Sequence, residues 1–370
     1  MILQFRCPPE IKTKVDELVR RGLYPDFSAF CVVALENQLL LEDAPPSLSE
    51  PAEPRNVQRV AALKAPARSE SSPQPRTRSP HSNGIPRECT LAVIPESPPF
   101  QLRDQLSSVF SPTDSVPINR WLLGHYNRLL PAKVSCRALV NLAKEGKVSL
   151  VVDEIAPLIA EVAAQVGEHL RALDEELNSH RDEALSIAFP EPGERGAKGR
   201  LRFQNHFVGQ MVKGQQEGLL VGLKLAFMEV KRNKSVIAPT QAGWEFARVP
   251  NPILDNGAGR PQSLSDQEIE FLLSHIGRNV PVELFAYRLL LSLIKNGKDS
   301  PESTNHALME YVDSSKLSGE VETYISTQRG GVLGRMKDLQ LIHRERISTS
   351  FRYHISDRGA AFLARVGEVK

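Results

Sequence analysis

Hydrophobic and polar residues alternate at the start of the chain. Residues 2–7 place Leu3, Phe5 and Cys7 on one face and Ile2, Gln4 and Arg6 on the other. This alternation predicts a half-buried strand, and the helical spacing of apolar residues from 11 to 19 predicts a helix after it. A second helix is predicted to begin near Ser28. About forty residues with a single strand cannot bury an adequate core, so we predict that residues 1–42 pair with a second copy as a homodimer.

This order of strand, helix and helix over residues 1–42 resembles the ribbon-helix-helix family, the Arc and CopG type of regulators. In that family the strands of two copies form a ribbon that enters the major groove of DNA. The resemblance implies that Gln4 and Arg6 read base edges, since amide and guanidinium groups form bidentate hydrogen bonds with bases. It also implies that the helix start at Ser28 offers backbone amides to a phosphate. The alternative is a dimerisation segment that does not touch DNA.

The composition changes at about residue 43. Residues 43–112 contain thirteen Pro, many Ser and few large apolar side chains. Such a segment buries too little apolar surface to offset the entropy of ordering, so we predict a disordered linker with one short strand at 90–94. Residues 55–87 are basic, and a phosphate contact there is the alternative to a solvated tether.

A sequence repeat is the most informative pattern in the rest of the chain. In each copy an apolar strand end leads to a hydroxyl residue, then to Gly, and then to two inward-facing apolar residues. The first copy consists of Ile237, Pro239, Thr240, Gly243, Phe246 and Ala247, and the second of Tyr353, Ile355, Ser356, Gly359, Phe362 and Leu363. Each copy follows a predicted basic hairpin, with Lys231, Arg232 and Lys234 in the first and Arg344 and Arg346 in the second.

Strand, polar turn, strand and capped helix in this order resemble the winged-helix fold, in particular its MarR-like regulators. The resemblance implies two winged-helix domains, at residues 113–260 and 261–370, whose basic hairpins are the wings and contact DNA. The expected fold is therefore mainly α-helical with small β elements, and consists of a ribbon-helix-helix head, a linker and two winged-helix domains.

The second of these domains has clear helix boundaries. Ser265 and Glu268 form a capping box, Pro281 can begin the next helix and Gly297 can end it. Residues 328–339 are the candidate recognition helix, in which the residues predicted to face the core are Val332, Leu333, Met336 and Leu339. The same spacing predicts four outward residues that we expect to contact DNA: Gln328, Arg329, Arg335 and Lys337.

The first domain is expected to contain a long acidic helix as an insertion. Its apolar residues follow spacings of three and four and form a seam: Val152, Ile155, Ile159, Val162, Val166, Leu170, Leu173 and Leu177. Residues 153–183 include nine acidic and two basic side chains, which would repel DNA. Packing of the seam against its own domain is the commoner explanation. Contact of residues 153–183 with a second chain or a partner protein is the alternative.

The candidate recognition helix of the first domain is residues 200–210. Leu201, Phe203, Phe207 and Val208 are predicted to face inward. Six residues are predicted to face outward, of which we expect the first four to contact DNA: Arg200, Arg202, Gln204, Asn205, His206 and Gln210. Arg, Asn and Gln are side chains suited to base edges.

The overall composition excludes several classes of protein. Hydrophobic residues make up 41% and charged residues 24% of the chain, which is typical of a globular protein. The net charge is only +2, so any phosphate-binding surface must be local. Four Cys without paired spacing argue against a disulfide framework and a structural zinc site. We expect no cofactor, no metal and no membrane segment, and a cytoplasmic, nucleoid-associated location.

Catalytic motifs are not evident in the sequence. Gly193, Gly196 and Gly199 lack the Lys-Ser or Lys-Thr end of a phosphate-binding loop, and no Ser, Cys or His lies in a nucleophile motif. We therefore expect a sequence-specific DNA-binding protein, a transcriptional regulator and not an enzyme. The alternatives are a DNA-binding initiator or scaffold in a replication, partition or defence assembly, and an antitoxin.

Overall fold

The structure is a computed structural model, and it divides the chain into two compact units, Met1–Thr77 and Arg78–Lys370. It describes residues 85–100, 102, 116–144, 149–180, 183–212, 214–256, 262–312, 321–347 and 350–369, and in the first unit residues 12, 13, 16 and 20. These four are helical, where the first helix of the head is predicted. Gln4, Arg6 and Ser28 lie outside the described residues.

The described part of the second unit is mainly α-helical with small antiparallel sheets, as the sequence predicts. Its helices are α1 (Leu130–Ala143), α2 (Val152–Glu176), α3 (Ala197–Phe203), α4 (Leu219–Gly222), α5 (Gln241–Arg248), α6 (Asp266–Asn279), α7 (Pro281–Lys295), α8 (Pro301–Leu308), α9 (Val321–Asp338) and α10 (Asp357–Val366). Its strands are β1 (Leu150–Val151), β2 (Gln210–Val212), β3 (Gln215–Glu217), β4 (Ala226–Lys231), β5 (Lys234–Pro239), β6 (Ile342–Ile347) and β7 (Ser350–Ile355). The strand orders are β1-β5-β4, β2-β3 and β6-β7.

The repeat predicted from the sequence is present in the structure. Both copies form a hairpin followed by a capped helix, β4-β5-α5 in the first and β6-β7-α10 in the second. Corresponding residues of the two copies differ in number by 116; for example, β4 begins at residue 226 and β6 at residue 342. Thr240 caps α5 by accepting a hydrogen bond from the Gly243 amide at 3.1 Å, and Ser356 caps α10 in the same way from Gly359 at 3.0 Å. The sequence pattern therefore encodes a common local structure.

Each capping residue also forms a hydrogen bond with the backbone just before its own hairpin. The Thr240 hydroxyl donates to the Lys224 carbonyl and the Ser356 hydroxyl to the Gln340 carbonyl, at 2.8 and 2.5 Å. A Cβ atom on Gly243 would lie 1.8 Å from the Leu225 carbonyl oxygen, and one on Gly359 would lie 2.0 Å from that of Leu341. Glycine is required at both positions because the helix and the hairpin are in backbone contact there.

The two copies extend to the elements that precede the hairpins. We call residues 116–256 the first lobe and residues 262–369 the second lobe. In the first lobe β1 pairs with β5, and in the second the Tyr353 amide of β7 donates to the Asp299 carbonyl at 2.8 Å. In chain order α1, α2, α3 and α4 precede the first hairpin, and α6, α7, α8 and α9 precede the second. The acidic helix α2 lies between β1 and α3.

The apolar seam of α2 packs against its own lobe. Val152, Ile155, Ile159, Val166 and Leu170 are buried, and the helix contacts α1, α3 and β5. The last predicted seam residue, Leu177, follows the helix end and is 44% exposed, so it does not belong to the buried face. Most of the seam is thus accounted for by the core of the first lobe.

Residues 85–100 differ from the predicted disordered linker. They form short 3-10 helices at Arg87–Cys89 and Leu91–Val93, where we expected a strand at 90–94. Cys89 is fully buried, and Arg137 and Asn141 of α1 donate to the carbonyls of Cys89 and Glu88 at 2.5 and 2.6 Å. A Pro-rich composition lowers the apolar content, but backbone carbonyls still offer acceptors to buried polar side chains, and this stabilises the segment.

A buried polar cluster joins the two lobes. The Lys133 ammonium of α1 lies 2.9 Å from the Glu268 carboxylate of α6, and both side chains are fully buried. Glu268 also accepts from Asn251 and completes the predicted capping box with Ser265. Burial lowers the pKa of Lys133 to about 8, against the opposing effect of Glu268. Since a buried charge needs its partner, this pair fixes α6 against the first lobe.

Candidate nucleic-acid interface

The turn of the first hairpin presents cationic side chains to solvent. Lys231 pairs with Lys234 across the turn, and Arg232 and Asn233 between them have φ of 48° and 64°. Positive φ at both central residues is typical of a tight hairpin turn that matches the strand twist. All four residues are exposed, as predicted for a wing. Glu229 lies 2.6 Å from Lys231, which reduces but does not cancel the charge of the turn.

The second hairpin is also basic, but part of its charge is covered. Arg344 is half-buried, with its guanidinium 4.1 Å from the centroid of the Phe351 ring, whereas Arg346 is exposed. His343 and His354 stack on the two strands with centroids 5.1 Å apart. The turn at 348–349 lies outside the described residues. The two predicted contacts of this hairpin therefore differ in exposure.

The predicted recognition helix of the first lobe is a short helix with a π-helical turn. Helix α3 ends at Phe203, and a π-helical turn spans Gln204–Val208. Phe203, Phe207 and Val208 are buried as predicted, but Leu201 is 57% exposed, so its inward prediction is wrong. The π turn adds a residue to the helical repeat and shifts which side chains share a face.

The four predicted DNA contacts of this segment differ in their surroundings. Arg202 is exposed, and Gln204 and Asn205 are half-buried. Arg200 donates to the Glu191 and Gly193 carbonyls at 3.0 and 2.6 Å, and its Nε lies 3.6 Å from the Glu161 carboxylate of α2. Arg200 therefore holds the preceding loop, whereas Arg202 is accessible to a ligand.

Arg202 lies beside a pair of histidines at a cleft of about 590 Å³. His125 and His206 stack with ring centroids 5.4 Å apart, and the cleft wall on the second lobe includes Thr327 of α9. Burial lowers the pKa of His206 to about 4, with His125 and Arg202 adding to the effect. Protonation of His206 is disfavoured because it would place a second cation beside Arg202.

The prediction that the polar residues of the second lobe's recognition helix face solvent is wrong. Helix α9 begins at Val321, well before residue 328. Val332, Leu333, Met336 and Leu339 are buried as predicted. Three residues predicted to face solvent are buried as well, since Gln328, Arg329 and Arg335 are 1%, 8% and 0% exposed. The fourth, Lys337, is half-buried.

Helix α9 is buried on this face because a segment of the first lobe lies on it. A Cβ atom on Gly331 would lie 2.3 Å from the Gly124 carbonyl oxygen, and one on Gly334 would lie 2.4 Å from that of Asn127. Glycines on α9 thus allow backbone-to-backbone packing with residues 121–129. A helix covered in this way cannot place the same face in a DNA groove.

The buried polar residues of α9 hold this contact. Arg335 binds the Glu283 carboxylate of α7 through Nε and Nη2, at 2.6 and 3.0 Å, and donates to the Tyr126 carbonyl of the first lobe. Burial opposes the charge of Arg335, but Glu283 raises its pKa above the ordinary value. Asp338 accepts from the Leu129 amide at 2.7 Å. Arg335 is therefore a bridge between the lobes and is inaccessible to DNA.

Sequence reasoning missed Arg128 and His125, which the fold places at clefts beside α9. Arg128 binds the Asp338 carboxylate at 3.1 Å and the Ala184 carbonyl at 2.8 Å. Both residues lie in a segment without helix or strand periodicity, so no local pattern assigned them a direction. Their only sequence signal is their residue type.

Comparison with family models, curated proteins and solved structures found no match for this chain. Within the described ranges, no three or more His, Cys, Asp or Glu are grouped so as to hold a metal ion. None of the helices described here combines the length and apolar character needed to cross a membrane.

Proposed function

We propose that the protein binds double-stranded DNA as a homodimer and acts as a sequence-specific transcriptional regulator, with two winged-helix lobes. The observation that carries this proposal is the repeated hairpin, which exposes basic side chains in both copies of a chain whose net charge is only +2. Basic hairpins beside a short helix suit the phosphate backbone, which supplies much of the affinity of DNA-binding proteins.

The first lobe is the principal contact in this proposal. Its hairpin turn carries Lys231, Arg232 and Lys234, and Arg202 is exposed on α3. The corresponding helix of the second lobe, α9, has its basic face occupied by contacts with the first lobe. Arg346 of the second hairpin adds a phosphate contact, whereas Arg335 and Gln328 make none.

The head supplies dimerisation and base reading through Gln4 and Arg6 in the same proposal. A dimer carries two copies of each hairpin, so one duplex can be held at several points and the effective concentration of each contact rises. The affinity of the dimer should therefore exceed that of a single lobe. Each neutralised phosphate releases a counterion, which makes the binding strongly dependent on salt.

The test compares the full chain with a triple variant, Lys231→Gln, Arg232→Gln and Lys234→Gln. Fluorescence anisotropy with genomic DNA fragments is measured at several salt concentrations. Removal of three phosphate contacts should weaken binding by about tenfold or more near 0.1 M salt. The slope of log K against log salt should become shallower by about 2 to 3, since each contact contributes about 0.9.

A matched control removes exposed cations that lie on helices and not on the hairpins. Arg278 on α6 and Lys295 on α7 are exposed, and the double variant Arg278→Gln, Lys295→Gln should bind DNA as the wild type does. The proposal fails if the wild-type chain does not bind any fragment at about 50 mM salt, where phosphate contacts are strongest. It also fails if the triple variant keeps the affinity and salt slope of the wild type.

A further inference from the structure

A second cleft, which we call the basic cleft, lies between α9, the second hairpin and the first lobe. Its volume is about 400 Å³, and its polar and aromatic walls are formed by Arg128, Arg329, Lys337, Arg344, Phe351 and Tyr353. A volume of this size lies within the range of small-molecule sites and is far too small for a duplex. The walls come from three elements that the fold holds together, so the cleft is formed in advance.

The lining of the basic cleft is strongly cationic. Four of its residues are Arg or Lys, and none of the described lining residues is Asp or Glu. Asp338, which does not line the cleft, forms an ion pair with Arg128. Glu183 lies near Lys337, and Glu302 lies near Arg329. Burial lowers the pKa of Lys337, and the charges of Arg128 and Arg344 lower it further. The cations therefore repel one another, and an anion between them would relieve that repulsion.

Arg329 provides an independent indication of a ligand. The residue is more than nine-tenths buried and donates through Nη1 to the Pro301 carbonyl. Its Nε is buried without a hydrogen-bond partner among the described residues. A buried donor without an acceptor costs free energy, and an anionic oxygen in the cleft is the kind of acceptor that a guanidinium binds best.

The remaining wall of the basic cleft is apolar. Phe351 and Tyr353 of β7 lie beside Leu333 of α9 and Ile342 of β6. Burial raises the pKa of Tyr353, against the opposing charges of Arg329 and Arg344. The cleft therefore combines cations for a charged group with aromatic and aliphatic surface for an uncharged group.

We propose that the basic cleft binds a small organic phosphate, of about the size of a mononucleotide. Arg329, Lys337 and Arg344 bind the phosphate oxygens, and Phe351 and Tyr353 contact the organic part. This site is separate from the turn of the first hairpin, and small-molecule binding to it does not require that the protein bind DNA.

Isothermal titration calorimetry of the full chain tests this site with AMP, adenosine and inorganic pyrophosphate. AMP and pyrophosphate should bind, and adenosine should bind at least about tenfold more weakly than AMP because it lacks the charge-assisted hydrogen bonds. Lys337→Gln and Arg344→Gln should each weaken AMP binding by about tenfold. Arg278→Gln, at an exposed position on α6, is the control and should bind AMP as the wild type does. Melting temperatures of all variants establish that they are folded.

Three results overturn the inference. The first is no heat of binding with AMP or pyrophosphate at about 10 mM, a concentration that reveals even millimolar affinity. The second is equal binding of AMP and adenosine by the wild type. The third is equal AMP binding by the wild type and the two cleft variants. Absence of DNA binding alone leaves the AMP result intact and contradicts only the proposed function.

Discussion

At the scale of single residues, the stack of His206 on His125 links the fold to pH. The pKa of His206 is lowered from 6.5 to about 4 in the folded protein, chiefly by burial. Between these two values the unfolded chain binds a proton at this residue and the folded protein does not. The free energy of unfolding should therefore fall as the pH is lowered from 6.5 towards 4.

Replacement of His206 by Asn should remove this contribution. The ring is half-exposed, so solvent screening limits its share to about 1 kcal/mol between pH 7 and pH 5. Urea unfolding at the two pH values measures the difference. His275, whose pKa burial also lowers, leaves a residual dependence in the same direction. The exposed His306 gives the control variant His306→Asn, and equal pH dependence in all three proteins would contradict the assignment.

Side-chain burial was predictable only where hydrophobic spacing decides it. Val332 and Met336 follow helical spacing and are buried, as predicted. Arg335 lies on the same helix and is also buried, because it forms an ion pair with Glu283 of α7. That partner lies 52 residues away in the sequence. Periodicity assigns polar side chains to solvent by default, and it contains no information about an ion pair between distant elements. The candidate site in the second lobe was therefore misassigned.

At the scale of elements, the packing of α9 on residues 121–129 depends on glycine. A Cβ on Gly331 would lie 2.3 Å from a backbone oxygen of Gly124, whereas one on the neighbouring Gly330 would have no atom within 4 Å. Gly331→Ala should therefore destabilise the protein by about 3 kcal/mol, since neither backbone can move aside easily. Gly330→Ala should be neutral or stabilising by up to about 1 kcal/mol, because Ala favours the helix.

Urea denaturation followed by far-UV circular dichroism separates these two outcomes. The pair is well matched, since the substitutions are identical and occupy consecutive positions on the same helix. Equal midpoints for the two variants would mean that α9 and residues 121–129 are not in backbone contact.

The hairpins and their caps were predicted from local signals, whereas residues 85–100 were not. Thr240 and Ser356 each precede a Gly by three residues, and a cap of this kind is decided by neighbouring residues. The segment 85–100 is held by Arg137 and Asp255, which lie far along the chain. Composition predicts whether a segment can form its own core, but not whether it packs on another one.

At the scale of the whole molecule, the two lobes share one continuous hydrophobic core in the described part of the second unit. Lys133 with Glu268 and Arg335 with Tyr126 add polar links between them. Elements that share a core and buried ion pairs unfold together, since opening one lobe would leave charges of the other without partners. We therefore expect a single cooperative transition for both lobes.

The positions of the two Trp residues make this expectation testable. Trp121 and Trp244 both lie in the first lobe, whereas Glu283 lies on α7 of the second. Glu283→Gln leaves the buried charge of Arg335 without its carboxylate and should cost about 3 kcal/mol. If the lobes unfold together, the urea midpoint of Trp fluorescence should fall as far as that of circular dichroism, at equal protein concentration. Glu322→Gln, at an exposed position on α9, should move neither midpoint. A Trp midpoint that stays at the wild-type value while circular dichroism gains an earlier phase would mean that the lobes unfold independently.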